Sequence, residues 1–484
     1  MTTTDAAILY DTLPYPRLVH SWTHPRVTGA MALFFGVDAA PVERCRVLDL
    51  GCAAGTSLVS LAAELPGSRF VGVDVSPGQI AAGEDLRQAL GLDNVELRVG
   101  DVNALDLPEK GFDYIIAHGV YSWVPPRARR AILAACARLL DDGGVAYVSY
   151  DTNPGWQLAG VVRELFVRET PTTLPPLERV RLARDLLAQH IDIAGEGSLR
   201  RAVLLAEQEF LRGASDAYIF HEYFAPDLAA VWVRDFLDDA ADAGLAYIAD
   251  ARPERVLPLS LPPRVAAAVA DAPDAVTREQ VIDHHANTRF RRSLLTRAGT
   301  PLALAVDPAR LGRLHVSMER TRRVARQPWG AAVTNRAEHA LRVENRAVAD
   351  LLEALSREAP RSVPIAELVD LADERGAREI LGQLVGLFFT EVVDLTLAPI
   401  DAATRLPERP RASALAREQA RRGDAVTSAV YVSQVLDPLA QALVPLLDGT
   451  RTVAELAAAV GADEQDVEGH LRVLLDASVL SAPG

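Results

Sequence analysis

Arg46-Val47-Leu48-Asp49-Leu50-Gly51-Cys52-Ala53-Ala54-Gly55 decides the fold. A short apolar run, Val47, Leu48 and Leu50, ends in an acid and a glycine-rich turn. The chain then passes into a helical pattern carried by Leu58, Leu61, Ala62 and Leu65. This order predicts a strand, a tight turn and a helix N-terminus. Gly51 and Gly55 let the backbone come close to a ligand that a Cβ would hold away. In open α/β sheets, nucleotide-like ligands dock at such strand ends. Ala53 and Ala54 stand between the glycines, so the spacing Gly-x-Gly-x-x-Gly is absent and a dinucleotide pyrophosphate fits poorly.

Two further strands end in acids. Phe70-Val71-Gly72-Val73-Asp74 places a carboxylate 19 residues after Gly55, where ribose hydroxyls are bound in such sheets. Val95-Glu96-Leu97-Arg98-Val99-Gly100-Asp101 places another, suited to an adenine amino group. A fourth strand, Asp113 to His118, runs into Gly119-Val120-Tyr121-Ser122-Trp123-Val124-Pro125. A helix, Ala128 to Leu140, and a fifth strand, Val145 to Tyr150, follow. Strand and helix patterns alternating at short spacing predict an α/β fold, a Rossmann-like parallel sheet covered on both faces. A single strand-end acid is as readily a helix cap. Three in succession, the first beside a glycine turn, point to a ligand. Asp49-x-Gly51-x-x-x-Gly55 resembles the first motif of class I S-adenosylmethionine (SAM) methyltransferases. SAM is a cation with an amino-acid tail, so an acid beside the turn suits it.

The chain has 484 residues, long enough for two to four domains. With 49% hydrophobic and 24% charged residues it can bury cores. No apolar run approaches the ~20 residues of a membrane span, and Met1-Thr-Thr-Thr-Asp5 does not read as a signal peptide. Cys45, Cys52 and Cys136 are too few and scattered for a disulfide framework or a zinc site, so a cytoplasmic location and no metal are expected. A net charge of −15 weighs against nucleic acid as partner and suits a basic acceptor. Lys110 is the only lysine, which reads as a bias toward arginine.

Four domains are expected. Residues 1–156 form a SAM-binding methyltransferase domain. Its lead segment (Tyr10-Asp11, Pro14-Tyr15-Pro16, Trp22-Thr23-His24-Pro25) is either a lid over the cofactor or a hydrophobic staple on the sheet edge. Residues 157–300 read as a mainly helical regulatory or substrate domain. Residues 343–400 and 426–484 each read as helix-helix-helix-strand, a winged-helix-like order. Ala366-Glu367-Leu368 and Ala454-Glu455-Leu456 align at an offset of 88 residues, which suggests a repeat. Residues 401–425, rich in Arg, Pro and Ala, read as a linker or surface segment. Asp463, Glu464, Asp466 and Glu468 on the third helix of the second copy would repel phosphate, so protein contact or packing is expected there.

His118 to Pro125, Thr23-His24-Pro25, Pro154-Gly155-Trp156, His221-Glu222-Tyr223 and Asp283-His284 with Arg289-Phe290-Arg291 carry a wider resemblance. The chain resembles bacterial methyltransferases with a methyltransferase regulatory domain, which include rickettsial protein-lysine methyltransferases acting on outer-membrane protein. The resemblance implies SAM as cofactor and a lysine-like acceptor. One departure stands out: Asp151-Thr152-Asn153 occupies the place of an expected Asn-Thr-Tyr.

The expected cofactor site is Asp49, Gly51, Cys52, Gly55, Asp74, Val75, Asp101, Val102, His118 and Gly119. Methyl transfer needs a nucleophile in line with the S–CH₃ bond and water excluded. An amine must be neutral to attack, and a lysine near pKa 10.4 pays about 4–5 kcal/mol for this at pH 7. A dry aromatic pocket lowers that cost. Tyr121, Trp123 and Trp156 are candidate walls, with Tyr15 from the lead segment. His118 and Asp151 are candidates to orient the amine or take its proton. The catalytic set is therefore His118, Tyr121, Trp123 and Asp151, and the acceptor set Tyr15, Trp123 and Trp156. For each there is a packing alternative: Trp123 under the next helix, His118 as a turn cap, Asp151 in an Asx turn. Three other functions remain open: methylation of a small molecule or peptide natural product, a non-enzymatic SAM-binding regulator, and, against the glycine spacing, an NAD oxidoreductase. The sequence leaves the oligomeric state open.

Overall fold

The computed structural model describes residues 13, 17–107, 111–256, 261–303, 307–369 and 374–482. Tyr10, Asp11, Pro14, Tyr15, Pro16 and Lys110 lie outside these, so the acceptor role expected of Tyr15 falls on a residue that is not described. The central sheet has seven strands: β1 (Arg46–Leu50), β2 (Arg69–Asp74), β3 (Val95–Val99), β4 (Phe112–Ala117), β5 (Leu140–Asp151), β6 (Leu245–Asp250) and β7 (Phe290–Arg297). Their order is β3-β2-β1-β4-β5-β7-β6. The first five strands are parallel, whereas β7 runs antiparallel to both β5 and β6. The order reverses between β1 and β4, and that crevice is where ligands enter such sheets.

Burial explains the strands. Val47, Leu48 and Leu50 are all buried, so β1 is covered on both faces, as the centre of a parallel sheet must be. On one side pack α1 (Pro25–Phe34) and α2 (Thr56–Glu64). α3 (Pro77–Ala89) follows β2, its start fixed by Ser76, whose Oγ accepts from Gln79 N at 3.0 Å. On the other side α4 (Pro126–Leu139) and α9 (Val233–Asp242) cover Leu48, Ile115 and Val148. Between β5 and β6 a helical bundle, α5 (Gly155–Glu169), α6 (Pro176–Ile193), α7 (Leu199–Arg212) and α8 (Asp216–Phe224), has its own core around Phe166, Val180, Leu187 and Tyr223.

The expected boundary at residue 156 is corrected by β6 and β7, which complete the catalytic sheet from within 157–300. Their pattern hid them. In β7 the buried positions include Arg291 and Ser293. Arg291, fully buried, donates to Asp283 at 2.8 Å and to Glu279 at 2.9 Å on α10 (Ala275–Ala286). A charged residue thus occupies a core position because its ion partners are buried with it.

Residues 343–400 contain helices Arg346–Arg357, Ile365–Val369 and Glu374–Phe389 and strand Asp394–Thr396. That strand and Val363–Pro364 pair with His315–Ser317, a strand outside the expected module. Phe388 stacks on Phe34 of α1 with centroids 5.3 Å apart, so this module shares the core of the sheet. The C-terminal module has a separate core. It contains helices Ala414–Arg421, Pro438–Leu443, Val453–Val460 and Glu464–Asp476. The expected linker or surface segment 401–425 is therefore corrected: Ala416 and Ala420 of its helix are buried in that core. Asp463 caps the last helix by accepting from Gln465 N at 2.8 Å. Among the described residues no helix is long and apolar enough to cross a membrane.

Candidate active site

The turn after β1 is held by the neighbouring strand. Gly51 N and Cys52 N both donate to Val73 O, at 2.8 and 3.2 Å. Gly51 (φ +79°) and Gly55 (φ +61°) are left-handed, which favours glycine. A Cβ on Gly51 would stand 2.3 Å from Val120 Cγ2, and one on Gly55 would stand 2.7 Å from Leu97. The glycines thus fit the turn between β3 and the loop after β4 as well as leaving the backbone open. Gly55 is the N-cap of α2 and offers no side-chain cap, so the first amides of that helix face the crevice.

Three acids converge here. Asp74 reaches across to the turn: its Oδ2 accepts from Ala53 N at 2.8 Å and its Oδ1 from Ser76 N at 2.9 Å. Asp49 is buried, and its carboxyl is pushed up to about 7, first by burial and then by the Asp74 carboxylate. A buried acid beside a half-buried one fits a cationic ligand. Asp101 Oδ1 accepts from Asn103 N at 2.9 Å and Asn103 Nδ2 at 2.8 Å, so this acid also caps a short turn. Val75 and Val102, which follow these two acids, are half-buried. Cys52 is buried and its thiol is raised well above the usual range by burial, so it lines the turn without reactivity.

The second half lies at the ends of β4 and β5. Gly119 N donates to Ser149 Oγ at 2.9 Å, and Ser149 Oγ lies 3.0 Å from His118 Nδ1. The Tyr147 hydroxyl is 3.1 Å from the same nitrogen. The His20 ring covers the His118 ring at 4.4 Å. Burial, then His20 and Arg292, hold His118 well below its ordinary pKa. Its imidazole is therefore neutral and a weaker base than a free histidine, held between two hydroxyls and the His20 ring.

Asp151, two residues beyond Ser149, is 3% exposed and sits across from Phe290. Its backbone N donates to Ser122 Oγ at 2.8 Å. Its Oδ2 is buried with no hydrogen-bond partner among the described residues. Burial pushes this carboxyl up to about 7, opposed by Arg289. Trp123 is also buried, and its Nε1 has no partner among the described residues.

Two expected aromatic site residues are buried in packed cores. Tyr121 is 1% exposed on the opposite face of the sheet, edge-on to Phe236 at 5.2 Å. Its catalytic role is corrected to core packing. Trp156, in the first turn of α5, packs beside Tyr223 at 5.8 Å in the core of the helical bundle, under the Arg289 guanidinium at 5.2 Å that also faces Asp151. Sequence reading missed His20 and Arg289. The first lay in a segment read only as lid or staple. The second donates to Glu207 at 2.9 and 3.0 Å, a pairing 82 residues apart that no local pattern marks.

Comparison with known proteins agrees with this geometry. Residues 47–144 match the family model described as a methyltransferase domain. Residues 215–297 match a predicted methyltransferase regulatory domain, and residues 408–474 the PKMT C-terminal winged helix domain. The uncharacterized protein RP028 of Rickettsia prowazekii is 31% identical over 234 residues, covering 48% of this chain and 94% of that protein. The chain belongs to the rickettsial-type SAM-dependent methyltransferases.

SAM is the family's cofactor, and the acid-lined turn fits it. The uncharacterized protein RP789 of the same organism is 34% identical over 287 residues, which cover 59% of this chain and 52% of that protein. The chain therefore spans about half the length of RP789 and nearly all of RP028. The structure of PKMT2 from Rickettsia typhi in complex with AdoHcy superposes with a TM-score of 0.84 at 22% identity, over 96% of this chain and 100% of that one. It shares the fold of the whole described molecule. The regulatory-domain match spans β6 and β7, so this methyltransferase builds part of its catalytic sheet from that domain.

Proposed function

We propose that the chain transfers the SAM methyl group to a basic amine, a lysine-like group on a protein or peptide. The observation that carries this reading is Asp151: a buried carboxyl, one oxygen without a partner among the described residues, at the end of β5. Bound SAM supplies an electrophilic methyl on a sulfonium. Asp74 is proposed to take the ribose hydroxyls, Asp101 with Val75 and Val102 the adenine side, and Asp49 with the α2 amides the amino-acid tail. Gly119 and His118, fixed through Ser149, wall the sulfonium end. Asp151 holds the incoming ammonium and takes one proton. Raised to about 7, its carboxyl is a stronger base than an ordinary aspartate. Burial around Trp123 and the His20–His118 stack lowers the cost of a neutral amine and excludes water. The net charge of −15 favours a basic acceptor over nucleic acid.

The test is a methylation assay with labelled SAM and the full chain, offered lysine-bearing proteins and peptides beside small carboxylic acids and small amines. Label on lysine Nζ is the expected result. Label only on a carboxylate or a hydroxyl would replace this reading with a small-molecule methyltransferase.

A further inference from the structure

The C-terminal module reaches the catalytic sheet through residues 422–433, and the element it grips is α2, the helix that starts at the cofactor turn. The Tyr431 hydroxyl donates to Ser57 O at 2.7 Å, and Ser57 Oγ lies 2.8 Å from the same oxygen. One turn on, Ser60 Oγ is 3.2 Å from Thr427 Oγ1. Arg26 of α1 donates to Ala429 O at 3.0 Å, and Val19 N donates to Ser433 Oγ at 2.8 Å. The Tyr431 ring meets His24 edge-on at 4.8 Å and is fully buried.

Two features set Tyr431 apart from ordinary interface packing. Its backbone is left-handed, φ +58°, which is costly for a bulky side chain and persists only where the surroundings enforce it. The helix it touches lacks the usual fastening: Gly55 stands at the N-cap where a Ser, Thr or Asp would fix the first turn from within. A glycine N-cap leaves the first amides open to a ligand and gives that turn no side-chain bond of its own. Tyr431 holds it from outside, by the first-turn carbonyl and side chain of Ser57.

We propose that Tyr431 is a positioning residue for SAM, and that the C-terminal module is thereby part of the cofactor site. Nothing in this depends on which acceptor is methylated. Two sites linked through one helix turn are coupled in both directions. SAM binding therefore tightens the module, and displacement of residues 427–433 weakens SAM.

Full-length Tyr431→Phe keeps the ring against His24 and removes both hydroxyl contacts to Ser57. Calorimetry should show SAM bound roughly three- to tenfold more weakly, the equivalent of one ordinary hydrogen bond. KM for SAM should rise by more than kcat falls. Ser433→Ala removes a contact of the same segment that does not touch α2, and should leave SAM affinity unchanged. In the wild-type chain, SAM should slow amide exchange at residues 427–433. Tyr431→Phe binding SAM as tightly as wild type, Ser433→Ala weakening it equally, or exchange at 427–433 unmoved by SAM would each overturn the proposal.

Discussion

Asp151 shows how one residue couples stability to catalysis. Its carboxyl is raised to about 7 from 3.8, so the folded state binds its proton more tightly than the unfolded chain. Between those values the folded state holds more protons, and the stability from this group falls as pH rises, levelling off above 7. Asp151→Asn, neutral at every pH, should therefore raise Tm at pH 8 and change it little at pH 4. Turnover on an amine should fall by about 100-fold or more, with SAM affinity nearly unchanged. Near-normal turnover would leave Asp151 as a buried structural acid and remove the local argument for an amine. Asp49 makes a separate prediction. Raised to about 7 beside Asp74, it is ionised by a cationic ligand, so SAM should bind more tightly as pH rises through 7 and release protons on binding. S-adenosylhomocysteine lacks the sulfonium charge and should show a weaker trend in the same calorimetry. Asp74→Asn keeps a carbonyl for one backbone amide but loses the charge on the ribose side. SAM affinity should drop by roughly tenfold, and an unchanged value in a folded variant would refute the ribose assignment.

At the scale of elements, the sheet decides what can be cut. A chain ending at residue 156 lacks β6 and β7, which cover the edge of β5 through six paired positions from Ala146–Leu295 to Asp151–Phe290. It would expose that edge and the apolar face that α9 covers. Such a fragment should be insoluble or molten and should not bind SAM, whereas a chain carried past Arg297 retains the full sheet. A soluble fragment 1–156 with native SAM affinity would show that β6 and β7 are accessory. Four of the first five strands were legible in the sequence as apolar runs, and β3, Val95-Glu96-Leu97-Arg98-Val99, as an alternating one closed by Gly100-Asp101. β7 was not, because Arg291 fills a core position and its partners Glu279 and Asp283 lie on another element. The acids of the cofactor turn were legible from strand-end position alone. Tyr121 was misread for the opposite reason: an aromatic beside a site motif points to the far face, and residue type does not reveal direction.

Across the whole molecule, residues 17–24 tie the parts together, and Trp22 is the centre of that tie. Its ring lies 5.8 Å from the guanidinium of Arg252 after β6, 5.3 Å from Arg292 of β7 and 5.4 Å from Arg336 near the small sheets. Arg336 in turn pairs with Glu391 at 3.3 Å and with Asp394 at 3.5 Å. On the same short segment, His20 covers His118 and Val19 N is bonded to the C-terminal module. These contacts make the segment a staple, and a single substitution tests whether it is also a lid. Trp22→Ala removes an anchored aromatic and three cation–π contacts, costing about 3–5 kcal/mol of stability. If the segment only staples, Tm falls while turnover at a permissive temperature stays normal. If the His20–His118 stack closes the transfer site, loosening Trp22 admits water there. Turnover on the acceptor should then fall well below wild type at temperatures where the variant is fully folded, with SAM affinity less affected. The stack across the site favours the second outcome. Normal turnover in folded Trp22→Ala would reduce the segment to a staple.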